Sequence, residues 1–510
     1  MIDVLSSLVD VNQRFRRLAL DSLYIRDLDM TCMTPINSLY DQTSSINTQV
    51  LSKIYKNILP QIHHQVYKLT VEEYSMKQIL RAANYPQLYS LSLFNFQEVT
   101  LHQYLRDDLI LRDLLTEQIT HLNVVIKTTT EERSEIAPSI FAFILSLCKK
   151  LIAVNIHHMF PIRPALFPLF GLLRKSSMPS TLIKLKINVA TLFDCLYLLD
   201  GLLVCLSTLI VHVNQIFHPF GNIDPTKKLP KLKHFSLTTC RHTFEYDTLI
   251  VPLLCRMINL EELKLYLSVG RFDSTYIDGI QLYEQFLIYM TQLKKFTFNI
   301  KTQVENRNVT IELPSNEDIQ CTFIGRNYPE VVSYINTNPC ECDGECHIYT
   351  LPYDFDYFLN LNNSFQGGMF HKVRQLTMKD MIAFEHELFQ LISQDFPFLE
   401  YLRIYNGYPQ KDKQHSLSTL ITFSYLTFLD LESAYVDYAE LFLLKKNMHL
   451  PRLVTLTMQY KSLTTVTHNF TADATHFNFN KLKSLRASRK FVRPENFHQY
   501  FPFVTLLEIV

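Results

Sequence analysis

The sequence predicts an α/β chain: an irregular solenoid of short parallel strands alternating with helices, preceded by a short helical segment. Three observations carry this expectation. A six-residue pattern, apolar-x-x-apolar-x-apolar, recurs fifteen times, from Val66 (VYKLTV) and Leu88 (LYSLSL) to Leu482 (LKSLRA) and Val504 (VTLLEI). Successive starts lie 22 to 33 residues apart, with one interval of 80. A proline stands two residues ahead of five of the starts: Pro86, Pro230, Pro397, Pro451 and Pro502.

The elements follow in chain order. In residues 3–20, Leu5, Leu8, Val11, Phe15 and Leu18 recur at three- and four-residue steps, the spacing of an amphipathic helix or a close helix pair. Residues 50–301 hold the first run of patterns. Their fourth and sixth positions alternate with polar third and fifth ones, the period of a half-buried strand. Between them lie helical spacings such as Ile136, Ile140, Phe143, Ile144 and Leu147. Proline cannot continue a helix, so its constant phase marks helix-to-strand turns. The intervals approach the period of about 20–29 residues of leucine-rich repeats, which predicts a horseshoe. The ninth pattern position, normally Asn or Cys, is matched only by Asn214 and Cys240, which predicts an irregular one.

Residues 302–372 break the pattern, and an inserted helix and β-hairpin unit is expected there. Val331–Ile335 and Cys346–Leu351 are β-rich runs, and Asp343-Gly344 between them is a tight-turn signal. A hairpin projecting from the solenoid follows. Cys340, Cys342, Cys346 and His347 crowd its turn. Three thiolates and an imidazole are a legitimate zinc set. The spacing C-x-C-x₃-C-H is not the usual pair, however, and neighbours on a strand point to opposite faces. Free thiols beside a turn are the preferred reading, with zinc and a Cys340–Cys346 disulfide as alternatives. The pattern resumes over 373–510.

Composition narrows the function classes. Ten glycines in 510 residues leave no Gly-rich phosphate loop. Lys plus Arg and Asp plus Glu are each 49, so the net charge is zero and gives no global case for nucleic acid or an anionic membrane. The most membrane-like stretch, Leu196–Val213, is interrupted by Asp200 and His212. Residues 1–20 lack the pattern of a secretion signal, and the ten cysteines are mostly scattered. Both point to an intracellular protein, cytoplasmic or nuclear. No nucleophile, acid–base or metalloprotease motif occurs, so neither an enzyme nor a cofactor is expected.

The N-terminal segment resembles the second half of an F-box, whose pattern runs approximately d-L-x-x-l-x-x-V-x-x-R-[WF]-x-x-L. Leu5, Leu8, Val11, Arg14, Phe15 and Leu18 stand in those places over residues 1–30. With the repeats behind it, the chain resembles the divergent F-box/leucine-rich-repeat proteins. The opening L-P-x-E stretch of an F-box is not in this sequence, so the module reads as partial. The resemblance implies a substrate receptor that docks on a Skp1-type adaptor of a cullin ubiquitin ligase through Leu5, Leu8, Val11 and Phe15, while the repeats select a protein. The alternative is a binding scaffold not coupled to a ligase. Alternate strand residues share a face, which places Glu262, Lys264 and Tyr266 of one coil, and Tyr401, Arg403 and Tyr405 of another, on the concave side. Tyr and Arg are favoured at hot spots, so the second trio is the expected partner contact.

Overall fold

Each of the fifteen patterns marks a strand, and each strand begins at the third pattern position. In the computed structural model, residues 11–31, 52–127, 136–158, 169, 179–200, 203, 205–217, 223–306, 311–326, 328–337, 343–411, 420–487, 491–504 and 506–509 are described. The first strands are β1 (Asp27–Asp29), β2 (Lys68–Glu72), β3 (Ser90–Phe96), β4 (His121–Ile126), β5 (Ala153–His158) and β6 (Lys184–Thr191). After them come β7 (Thr208–Gln215), β8 (His234–Thr243), β9 (Glu262–Phe272), β10 (Lys295–Glu305), β11 (Glu330–Thr337) and β12 (Asp343–Leu351). These twelve form one sheet in the order β1 to β10, then β12, then β11. Neighbours from β1 to β10 are parallel, with β9 and β10 in register over their whole length.

The second sheet has seven strands: β13 (Tyr357–Leu361), β14 (Gln375–Lys379), β15 (Tyr401–Tyr405), β17 (Phe428–Leu431), β19 (Thr455–Met458), β20 (Ser484–Ala487) and β21 (Leu506–Ile509). Its pairs are all parallel. Two short strands, β16 (Ile421–Thr422) and β18 (Met448–His449), pair beside it.

Local chemistry explains the elements. In β3, Leu91, Leu93 and Phe96 are buried while Ser90 and Ser92 stay half-exposed. The helices after it, Glu98–Asp107 and Leu109–Glu117, bury Leu101, Leu105, Leu111 and Leu115 at four-residue spacing. Asp108 starts the second of them, its carboxylate accepting the N–H of Leu111 at 3.0 Å. Helix Leu192–Leu199 opens with a capping box of Thr191 and Asp194, and Asp194 also accepts the N–H of Leu169 at 2.6 Å.

The phased prolines occupy one position of a recurring β-turn. The N–H of Leu88, Leu232, Leu399, Leu453 and Val504 donates to the carbonyl of the residue before the proline, at 3.1–3.4 Å. Proline therefore sits second in each four-residue turn, where its fixed φ is favoured. The same turn closes ahead of Leu206, Leu260, Leu293 and Leu482 without proline.

The α/β class stands, but the leucine-rich-repeat horseshoe does not. The strands fall into two sheets of twelve and seven rather than one repeating array. The chain divides into two compact units, 1–328 with 337–348, and 329–336 with 349–510. The connections are unequal: some carry α-helices alone, others a π-helical turn, Ile54–Ile58 or Tyr246–Ile250, that runs into a four-residue α-helix. Unequal connections cannot stack as equivalent coils, and few turns hold the Asn or Cys that would make them alike. The two strands of the expected hairpin are neighbours in the sheet, but its placement is corrected. β12 and β11 extend the large sheet instead of projecting from it. Asp343-Gly344 is the start of β12, not a turn. Gly344 is required there by close approach, since a Cβ would meet the Tyr276 hydroxyl at 1.9 Å.

Candidate interaction surfaces

The N-terminal helix, α1 (Gln13–Ala19), is capped by Asn12, whose side chain accepts the N–H of Phe15 at 2.9 Å. A polar contact ties it down: the Arg16 guanidinium donates to the Gln61 side-chain carbonyl at 2.8 Å. Its apolar residues face away from the core. Val11 is 57% exposed, Phe15 41% and Leu18 53%, and Leu23 and Tyr24 just beyond are exposed as well. Leu5 and Leu8 lie outside the described residues.

The expected partner trio sits on one face of β15 but is largely engaged within the chain. Tyr401 is buried and stacks on Phe428, with ring centroids 4.5 Å apart and planes within 14°. Arg403 lies 3.0 Å from the buried carboxylate of Asp430 and 4.4 Å over the ring of Tyr405. The next strand covers what alternation alone leaves open, so only Arg403 and Tyr405 keep partial exposure. Of the other trio, Tyr266 is buried and Glu262 and Lys264 are half-buried.

Cys346 and His347 are both buried, and Cys340 and Cys342 lie outside the described residues. His347 Nε2 is 2.8 Å from the Asn299 side-chain carbonyl, which makes Nε2 the donor. Burial, reinforced by Lys301, holds its pKa well below the ordinary value. Burial likewise pushes the Cys346 thiol up. A buried thiol of this kind is inert, as expected of a free cysteine. Among the described residues no group of three or more His, Cys, Asp or Glu is placed to hold a metal ion.

Sequence reasoning missed a third surface, at the carboxyl ends of β7, β8 and β9. An open cleft of about 690 Å³ is lined by Gln215, Ile216, Phe217, Arg241 and His242. Between Thr238 and His242 the register of β8 against β9 slips, and the bulge re-aims Arg241 and His242. His242 Nδ1 lies 3.1 Å from the Ser268 hydroxyl, and its ring stands edge-on to Phe244 at 5.2 Å. Phe244 in turn stacks on Phe272 at 4.6 Å, with planes within 3°. Phe217, Phe244 and Phe272 are each about half exposed, at 48%, 47% and 49%. Gly270 makes room for this arrangement, since a Cβ there would come within 2.4 Å of both the His242 and the Phe244 rings. A signal was present in the sequence: the three phenylalanines follow Leu206, Leu232 and Leu260 by nearly equal distances.

No family model and no curated protein matches the chain. No helix among the described residues is long and apolar enough to cross a membrane.

Proposed function

We propose that the chain is a protein-interaction module acting as an F-box-type substrate receptor. α1 docks on a Skp1-type adaptor of a cullin ubiquitin ligase, and surfaces of the sheet units take the protein to be modified. The module binds and performs no chemistry itself. The observation that carries this reading is the outward display of Phe15 and Leu18 on a helix held by the Arg16–Gln61 contact, with Val11 exposed just ahead of its cap. Clustered exposed apolar side chains of this kind mark interaction sites. Their places also match the F-box pattern. An intracellular setting, cytoplasmic or nuclear, fits the seven described cysteines, all of them free thiols.

The test is co-purification of the full chain with a Skp1-type adaptor, beside a Phe15→Asp variant. Phe15 is exposed, so the variant should fold and lose the adaptor. A scaffold uncoupled from a ligase would retain no adaptor in either form.

A further inference from the structure

The cleft at the ends of β7 and β8 is built differently from the rest of the polar sheet face. The register slip in β8 between Thr238 and His242 places Arg241 and His242 in a bulge near the carboxyl end of the strand, where both are exposed. Among the described residues, the Arg241 guanidinium has no acidic partner and no hydrogen bond. Beside it, Ile216 is buried and Phe217 half-exposed, which gives the cleft an apolar floor and wall. His242 joins the cleft to the Phe244–Phe272 stack, so the apolar surface continues past the cavity.

We infer that this cleft is a peptide-docking site for an extended protein segment carrying a carboxylate close to an apolar or aromatic side chain. The carboxylate pairs with Arg241, whose planar fork donates to both of its oxygens at once. The apolar side chain packs on Phe217 and Ile216, and the following residue lies over Phe244. Phe217 beside an Arg241 that is unpaired among the described residues brings together two residue types, aromatic and arginine, that are favoured at interfaces. Charge complementarity selects the occupant: a basic segment would face Arg241, and a wholly apolar one would bury that cation without a partner. The assignment rests on the reading of the chain as a protein-binding module and names the segment it selects.

Selection from a displayed library of random decapeptides on the full chain tests it. The wild-type chain should enrich peptides with Asp or Glu within two residues of Phe, Tyr, Leu or Met. Arg241→Glu should exchange the acidic residue for Lys or Arg in the recovered peptides. Phe217→Ala should weaken the best synthetic peptide at least tenfold. Both residues are exposed, so the circular dichroism and unfolding midpoint of the variants should match wild type. Phe15→Asp should leave the selected peptides unchanged, because it lies on the adaptor-docking helix. Failure of that helix to bind adaptor, with peptide selection intact, therefore leaves this assignment standing. An unchanged acidic consensus with Arg241→Glu would overturn it, as would the absence of any enriched peptide.

Discussion

Replacing His347 by Gln should flatten the acid limb of the stability curve by one proton. In the folded chain the imidazole is buried against Asn299 and stays neutral far below pH 6.5. In the unfolded chain it takes a proton near pH 6.5. A depressed folded pKa means that its contribution is full above pH 6.5 and is lost as pH falls from there toward the folded value. The loss is about 1.4 kcal/mol per pH unit, so at pH 5 it reaches about 2 kcal/mol. Other groups titrate in the same range. Burial, reinforced by Lys186 and Lys264, lowers the pKa of His212 to about 3, which adds a slope of the same sign. Burial raises the Glu98 pKa to about 7, which acts in the opposite sense: its contribution is full below pH 4.5 and lost as pH rises through 7. Both titrate alike in wild type and variant and subtract out. The assay is urea unfolding followed by circular dichroism, since the chain has no tryptophan, at steps from pH 7 to pH 5. The Gln variant should lose about 1.4 kcal/mol per unit of the wild-type slope, whatever its absolute stability. Identical slopes would refute the buried neutral His347.

Two further substitutions probe the packing. Phe370 is fully buried and stacks on Phe396 at 4.6 Å within a cluster that includes Tyr353 and Phe358, so Phe370→Ala should cost about 3–5 kcal/mol in calorimetry. A cost below about 1 kcal/mol would mean that the aromatic cluster is not a core. Tyr401→Ala should cost about 2 kcal/mol or more through the lost stack on Phe428, whereas Tyr405→Ala should cost less than about 1 kcal/mol. Equal costs in denaturant titration would show that the two side chains share one environment.

Fifteen strand positions were legible because each of those strands follows the same six-residue pattern. In most of them a turn closes on the first apolar residue, and alternation then sets the buried positions. The phased prolines were visible, but their role as the second residue of that turn emerges only from the hydrogen bond to the preceding carbonyl. What the pattern could not convey is how unequal connections stack. Nor could it convey that β12 enters the sheet between β10 and β11. Gly344 was read as a turn residue because a D-G pair is ambiguous between a turn and close backbone approach. Only the Tyr276 hydroxyl decides between them. Tyr401 was read as exposed because alternation assigns a face but not what the next strand lays over it. The cleft escaped notice for a related reason. Arg241 and His242 sit in a bulge that breaks the two-residue period, and Phe244 meets Phe272 only once β8 and β9 lie side by side. The N-terminal helix was legible from spacing, although its apolar face proved outward rather than packed.

Calorimetric titration of a Skp1-type adaptor into the full chain tests the central claim most directly. Val11, Phe15 and Leu18 offer three half-exposed apolar side chains, each gaining about 1–2 kcal/mol on burial against a large association cost. The expected Kd, on the order of 10 µM, corresponds to about 7 kcal/mol, so these three side chains supply part of the expected affinity and contacts beyond them the rest, and Phe15→Ala should weaken binding about tenfold. No heat of binding at adaptor concentrations up to about 200 µM, or binding indifferent to Phe15→Ala, would contradict the account.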